Sequence, residues 1–472
     1  MTNVFTSKLD ATKNLGKTAN EAATNLSSTS KLVDLFGIIG TRNMDFTRSF
    51  TEAYTEDKEL SLRILMWARD IRGGAGERET TRKILIHIEN QYPTELKLLI
   101  PAWAEYGRWD DLLIFTTDYA KKLAFEEIKN QINAKNAIAA KWMPVQGKLA
   151  YELRTFMGWT PKRWRKTIVG LRTTVEQKMC AKDWTSINYS HVPSVASARY
   201  QKAFGRRDTV RYTEYLASLQ KGVAGVKMNA TAVYPYDVLK SMNHGNITAS
   251  LEQWKALPDF LGDNMILPMV DVSGSMGGGY VVSKGVGLTP MDVALSIGMY
   301  TADKQKGAYH DIMLSFSETA ELIKLTGANV YEKINAMRQA HWAMGTNLEA
   351  AFENVLEFAK TNTVPEADMP KMILVISDME FNQCSKTPDA TNYTSIKAKY
   401  AASGYKLPKI VFWNVSGRQG NQPVTVHDDN TALISGFSPA ILKSVLADTL
   451  ENFSPKSVML ETIMVDRYNI WE

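Results

Sequence analysis

The run Met265-Ile266-Leu267-Pro268-Met269-Val270-Asp271-Val272-Ser273-Gly274-Ser275-Met276 decides how the second half of this chain is read. Six mostly apolar residues form a short strand that ends on Asp-x-Ser-x-Ser. One carboxylate and two hydroxyls at that spacing converge in a tight turn and suit a hard divalent cation. Two later segments complete the set. Gly345-Thr346-Asn347 adds a hydroxyl, and Lys371-Met372-Ile373-Leu374-Val375-Ile376-Ser377-Asp378 is a second apolar strand closing on an aspartate. Taken singly, Ser273 and Ser275 are turn residues and Asp378 is a helix cap. The ordered triple, with both aspartates closing apolar strands, points instead to a metal site made of Asp271, Ser273, Ser275, Thr346 and Asp378. Oxygen donors alone favour Mg²⁺, with Mn²⁺ or Ca²⁺ as alternatives, over zinc. Strand ends are where open α/β sheets gather their ligands.

Outward from this stretch, strands and helices alternate from about Pro258 onward. Strands are expected over Met265–Val270, His310–Phe316, Lys371–Ile376, Lys409–Asn414 and Ala432–Ile434. Helices are expected over Met291–Gln305, Asn329–Gln339, Leu348–Thr361, Tyr393–Ala402 and Pro439–Leu450. That alternation predicts a mostly parallel sheet covered on both faces. Between Lys31 and Asn264 the periodicity is helical: Leu60–Ile71, Thr80–Ile88, Glu95–Trp103, Leu123–Ala140, Trp164–Lys178 and Thr209–Lys221. Short helices with short links suggest a helix-pair solenoid. The domain reading is a polar arm over 1–30, a helical repeat part over 31–262, an α/β domain over 263–452 and a tail over 453–472.

The net charge is +5, but it is unevenly spread. Residues 141–228 carry 17 Lys or Arg against five acids, a segment charge of +12. Charge asymmetry of this size points to a polyanionic partner. Aromatics lie among the cations, and aromatic faces stack on unpaired bases. The RNA-facing candidates are Lys141, Lys148, Lys162, Arg163, Trp164, Arg165, Lys166, Arg172, Arg206, Arg207 and Arg211, sharpest at Lys162–Lys166.

Other chemistries are poorly served. Arg69–Arg78 has the glycines of a phosphate loop but neither the Gly-Lys-Ser/Thr ending nor a preceding strand; Arg72 and Arg78 are expected to pair with Asp70 and Glu77. Asp110-Asp111 and Asp428-Asp429 are adjacent pairs, expected at caps or on the surface. The six histidines, His341 among them, show no metal spacing. A two-metal nuclease typically draws on several carboxylates, whereas this set offers two. Two cysteines, Cys180 and Cys384, cannot build a disulfide framework and fit a reducing cytosol. No signal peptide is visible and no stretch approaches the roughly 18 apolar residues of a membrane span.

The metal set resembles the metal-ion-dependent adhesion site of von Willebrand A domains. There the matching residues hold the cation directly or through water, and one position stays open for a partner's acidic group. The chain as a whole resembles the Ro autoantigen group, in which a TROVE module is joined to a von Willebrand A domain, and especially its Ro-like proteins of bacteria, phage and plants. The resemblance rests on Leu32–Phe36, Arg69–Arg78, Tyr106–Leu112, Lys141–Pro144, Asp271–Met276, Ser377–Phe381, Phe412–Asn414 and Ser435–Ser438. It implies a multidomain α and α/β fold: a HEAT-like helical repeat ring or solenoid, then a Rossmann-like, doubly wound von Willebrand A domain. It also implies RNA binding. In Ro proteins single-stranded ends enter the ring and small structured RNAs lie on its basic outer face. The helical part is short here, so its ring is expected to be smaller or open.

The combined expectation is a non-catalytic, monomeric, cytoplasmic RNA-binding protein, in the host cytoplasm if phage-encoded. Its partners are small structured or single-stranded RNA and a protein that supplies a carboxylate to the metal. The alternative is a metal-dependent protein-interaction scaffold without RNA.

Overall fold

The computed structural model describes residues 13–42, 44–277, 287–337, 345–383, 390–417, 419–446 and 452–471. Residues 1–12 of the expected arm, His341, Cys384, and the ends of two expected helices (338–339 and 447–450) lie outside the described residues. Two short strands near the start, β1 (Leu15–Lys17) and β2 (Ala23–Asn25), pair antiparallel. Strands β3 (Ile266–Asp271), β4 (Ile312–Phe316), β5 (Ala320–Lys324), β6 (Met372–Ser377), β7 (Lys409–Asn414) and β8 (Thr431–Ser435) form one sheet of order β5-β4-β3-β6-β7-β8. All its neighbours are parallel except β4 and β5.

Every residue of β3, β6 and β8 is buried, which is why these strands read as unbroken apolar runs rather than alternating ones. Pro268 lacks an N–H, and it lies one residue before the β3–β4 ladder opens at Met269. The helix Pro290–Lys304 packs on β3 so closely that a Cβ at Gly298 would sit 2.4 Å from Val270 Cγ2. From β3 the chain steps outward through β4 to β5, then returns to β6 on the other flank of β3. The winding therefore reverses between β3 and β6, and their carboxyl ends open a crevice there. The edge strand β5 is absent from the sequence reading. Its Glu321 and Lys324 are exposed and its other residues half-buried, a charged edge with no clean period.

The first half is helical, and two of its expected long helices are each divided. Leu123–Ala140 becomes Asp118–Asn133 and Ala137–Trp142, separated where Lys135 takes φ 61° and Asn136 caps the next helix. Trp164–Lys178 becomes Pro161–Leu171 and Val175–Cys180. At that break Arg172 turns back and donates to the carbonyls of Ala140 and Met143. Beyond it a small core of its own forms, centred on Ile187, Tyr189, Phe204 and Tyr212. The main core runs without interruption from the other helices into the sheet.

Residues 31–39 tie the two halves together. The helix Lys31–Ile39 is apolar nearly all round, and it packs on β8. Gly40 ends it against that strand, since a Cβ there would meet the Ser435 carbonyl oxygen at 2.5 Å. Ser435 Oγ accepts from Gly40 N and donates to the Phe36 carbonyl, each at 3.0 Å. The tail forms the helix Pro455–Ile463, which packs on β8 and on the helix Lys58–Arg69. Beyond it, Arg467 and Tyr468 close on Asp70. Thus Asp70 pairs with Arg467, and Glu77 with Arg42, in place of the expected Arg72 and Arg78.

The adjacent acids Asp110 and Asp111 also depart from expectation. Asp111 is fully buried in a short 3₁₀ turn, where it accepts from Arg69 Nε at 2.7 Å, Arg82 Nε at 2.7 Å and Arg108 N at 3.0 Å. Arg69 is buried with it. Asp111→Ala leaves that guanidinium uncompensated and should destabilise the protein by about 3–5 kcal/mol in chemical denaturation. Asp110→Ala, removing a half-exposed partner, should cost about 1 kcal/mol or less.

Candidate functional site

The crevice at the sheet's reversal holds all five expected metal residues on three loops. The first loop follows β3. Asp271 Oδ1 accepts from Ser273 N at 2.9 Å, which folds the turn back on the carboxylate. The Ser273 and Ser275 hydroxyls then lie 3.2 Å apart, Ser273 buried and Ser275 exposed. The second loop leads into the helix Leu348–Thr361, capped by Asn347. Asn347 N donates to Ser317 O just past β4, which anchors this loop to the sheet. Thr346 precedes it. Its Oγ1 is buried and has no hydrogen-bond partner among the described residues. The third loop follows β6 and brings Asp378, 2% exposed, beside Asp271.

The loops are held together by groups the sequence reading missed. In register Val270 faces Ile376, so Asp271 ends beside Ser377, and Ser377 Oγ donates to Asp271 Oδ2 at 2.5 Å. That signal was available: Ser377 is the one polar residue in an otherwise apolar strand. Asn382 joins the second and third loops, accepting from Thr346 N at 3.1 Å and donating its own N–H to Thr346 O at 2.8 Å. The β1–β2 hairpin and its turn brace the third loop from outside. Thr18 Oγ1 donates to Phe381 O at 2.7 Å, Asn20 Nδ2 to Glu380 O at 2.6 Å, and Asn421, bonded to Thr24, donates to Met379 O at 2.7 Å. No composition signal marks residues 15–25 for this task.

Burial and the neighbouring Asp378 charge push the Asp271 carboxyl up to about 7, against hydrogen bonds from Ser273 and Ser377 that pull it down. A raised carboxyl stabilises the metal-free fold at low pH, and that contribution is lost as pH rises through the folded value. The arrangement has the chemistry of a hard-cation site: two facing carboxylates, two adjacent hydroxyls and one buried hydroxyl with no partner among the described residues. Among the described residues no group of three or more His, Cys, Asp or Glu is placed to hold a metal ion, so a cation here would draw on hydroxyls beside the two carboxylates. Asp271, Ser273, Ser275, Thr346 and Asp378 would hold the ion, and a bound dication would neutralise the two charges and present an acceptor for an acidic ligand.

The expected RNA-facing residues divide into two groups. Lys148, Lys162, Arg163, Arg165, Lys166, Arg206 and Arg207 are exposed. Lys141, half-buried, pairs with Glu176 at 3.3 Å. Three others are taken by the fold. Trp164 is 1% exposed and donates Nε1 to Pro144 O at 3.0 Å, so its faces pack in the core and cannot stack on a base. Arg172 is committed to two carbonyls, and Arg211 to Trp184 O, Ile187 O and Asp208.

Residues 266–464 match a family described as a domain of unknown function, DUF7788. Residues 18–117 and 150–259 match a second domain of unknown function, DUF2828. The chain is also 28% identical to an uncharacterised protein of Acanthamoeba polyphaga mimivirus, across 95% of this chain and 87% of that one. The two family matches divide near residue 260, where helices give way to the sheet, and the DUF2828 match begins in the turn of the hairpin that braces the third loop. Among the described residues, no helix is long and apolar enough to cross a membrane.

Two predictions follow from the site. In chelator at pH 8, Asp271→Asn should raise the Tm above wild type, since one of two facing buried charges is removed. Mg²⁺ should raise the Tm of wild type, not of that variant, and less for Thr346→Val. Equal Mg²⁺ responses in all three proteins would remove the metal assignment. Second, the pair Thr18→Ala and Asn421→Ala should weaken Mg²⁺ binding roughly tenfold in titration calorimetry by loosening the Asp378 loop, as losing supporting contacts does at metal sites generally.

Proposed function

We propose that this protein is a non-catalytic RNA-binding protein of Ro type: a HEAT-like helical repeat part joined to a von Willebrand A-type domain whose divalent cation receives an acidic group from a protein partner. The observation that carries the RNA reading is the start of the helix Pro161–Leu171. Lys162, Arg163, Arg165 and Lys166 all lie in its first six positions, with no acid in the first turn. None makes a salt bridge among the described residues, although Arg163 rests on the Trp159 ring at 4.4 Å. The helix dipole disfavours cations at an N-terminus, so the local arrangement opposes its own electrostatics. A polyanion supplies the missing counter-charge.

The sheet order supports the von Willebrand A reading. A doubly wound, mostly parallel sheet with an oxygen-rich crevice at its reversal is what that resemblance implies. The second reading, a metal-dependent interaction scaffold without RNA, is favoured by the commitment of Trp164, Arg172 and Arg211 to structural contacts, which leaves a smaller basic surface than the composition suggests.

Filter binding across a salt series separates the two readings. Wild type should bind single-stranded RNA. Lys162→Glu, Arg163→Glu, Arg165→Glu and Lys166→Glu together should weaken binding strongly and flatten the log–log salt slope by about 0.7–0.9 per lost phosphate contact. Trp164→Phe should change stability rather than RNA affinity. No detectable RNA binding by wild type leaves the scaffold reading.

A further inference from the structure

A second cavity lies in the helical half, far along the chain from the metal residues. It has a volume of about 450 Å³ and is walled by the helices Ala137–Trp142 and Val175–Cys180 and by residues 187–193. That is the size range of pockets for small organic ligands. It sits on the seam between the two cores: Ala139 and Ala140 belong to the main core, Ile187 and Val192 to the small one. Seams between separately packed units are where ligand sites commonly form.

The lining mixes three kinds of group. Trp142, Ile138 and Ile187 offer flat and aliphatic surface. The Arg108 guanidinium covers the Trp142 ring at 3.8 Å from its centroid and holds that ring in place. Lys141 and Lys178 supply donors and positive charge, and His191 adds an imidazole edge. Lys178 spends one donor on Ser186 O at 2.8 Å, and the ammonium has two more. Glu176 supplies an acceptor. Lys141 binds its Oε1 at 3.3 Å, and the Glu176 side chain stays about a third exposed at the cavity wall. Asn188 accepts from Ser190 N through Oδ1, and its side chain also borders the cavity.

We propose that this seam cavity binds a nucleotide, its base against Trp142 and the two isoleucines, an exocyclic amine on the Glu176 carboxylate, and its phosphate on Lys178 and His191. A wholly apolar ligand would strand the Lys141–Glu176 pair without water. A simple anion would leave the ring and aliphatic walls unused. A planar base that carries both an amine and a phosphate satisfies all three kinds of wall. The cavity is also next to the basic helix: Arg172, which ends Pro161–Leu171, is bonded to the carbonyls of Ala140 and Met143 beside the cavity wall. The source of the nucleotide, a free monophosphate or one unit of a bound RNA, rests on the function proposed above; the cavity's chemistry does not.

The test uses the full chain with AMP, GMP, CMP and UMP, and separately with a single-stranded RNA, in calorimetric titrations. Two variants alter the cavity mouth at exposed positions and so spare the fold: Ile138→Glu, at a residue 62% exposed, and His191→Ala. A monophosphate should bind wild type, with amine-bearing bases preferred to UMP. Ile138→Glu should weaken that binding roughly tenfold or more by putting a carboxylate in place of the aliphatic wall on which the base lies, where it also repels the anionic ligand. If RNA binding also weakens in Ile138→Glu, the cavity takes a unit of the RNA. If monophosphates bind and RNA does not, the cavity proposal holds and the RNA reading fails. If RNA binds but no monophosphate does, and Ile138→Glu leaves RNA affinity unchanged, the cavity proposal is overturned while the RNA reading stands. If nothing binds, both fall.

Discussion

Two carboxylates face each other without solvent at the point where the sheet changes direction. Asp271 and Asp378 arrive there because β3 and β6 are neighbours in space and each strand ends on an acid. Like charges in such a place repel, and the burial that keeps water out removes the usual relief. The surrounding contacts answer this constraint. Ser377 spends its proton on Asp271, Asn382 joins two loops by a pair of backbone-directed bonds, and the hairpin near the chain's start supports the third loop. A site that must hold two charges together without collapsing needs rigid walls. Here the walls come from segments up to about 400 residues away in sequence, since Thr24 and Asn421 meet.

How much of this was legible depended on the length scale of the cause. The buried strands were readable because burial on both faces writes itself as a continuous apolar run, and the two terminal aspartates stood out against it. The ligand candidates were therefore visible from local sequence alone. The edge strand β5 was not, because one covered side and one open edge leave Glu321 and Lys324 mixed with Leu322 and Ile323. The hairpin's role was invisible for a different reason. Thr18, Asn20 and Asn421 have ordinary polar identities, and their value comes only from where the chain returns. The same holds for Asp111: two adjacent acids look like surface residues until three arginines converge on one of them.

Composition misled most in the basic segment. A surplus of Lys and Arg describes charge but not where each head group is used. Arg172 and Arg211 satisfy backbone carbonyls at helix breaks, which is a structural use of a five-donor side chain. Lys162 to Lys166 lack such partners. The structure thus leaves some of that stretch's cations exposed and commits others to the fold, and it shows that aromatic residues among cations need not face outward. Trp164 is the clearest case.

The packing of Lys31–Ile39 on β8 bears on the order in which the protein can be completed. This helix is apolar on almost every side; the helices Thr47–Glu56 and Lys58–Arg69 cover part of it, and β8, some 400 residues later, covers another part together with the tail helix. While the chain is being synthesised, the helix emerges early and can lie against the two helices that follow it, but the face that meets β8 stays uncovered until residues 431–435 exist. The helical half therefore leaves the ribosome with an unprotected apolar surface, and closure waits for the last tenth of the chain. Contacts this distant slow folding and lengthen exposure to aggregation. The two halves are distinct in secondary structure yet form one unit of folding, and a cut between them would leave both with open faces.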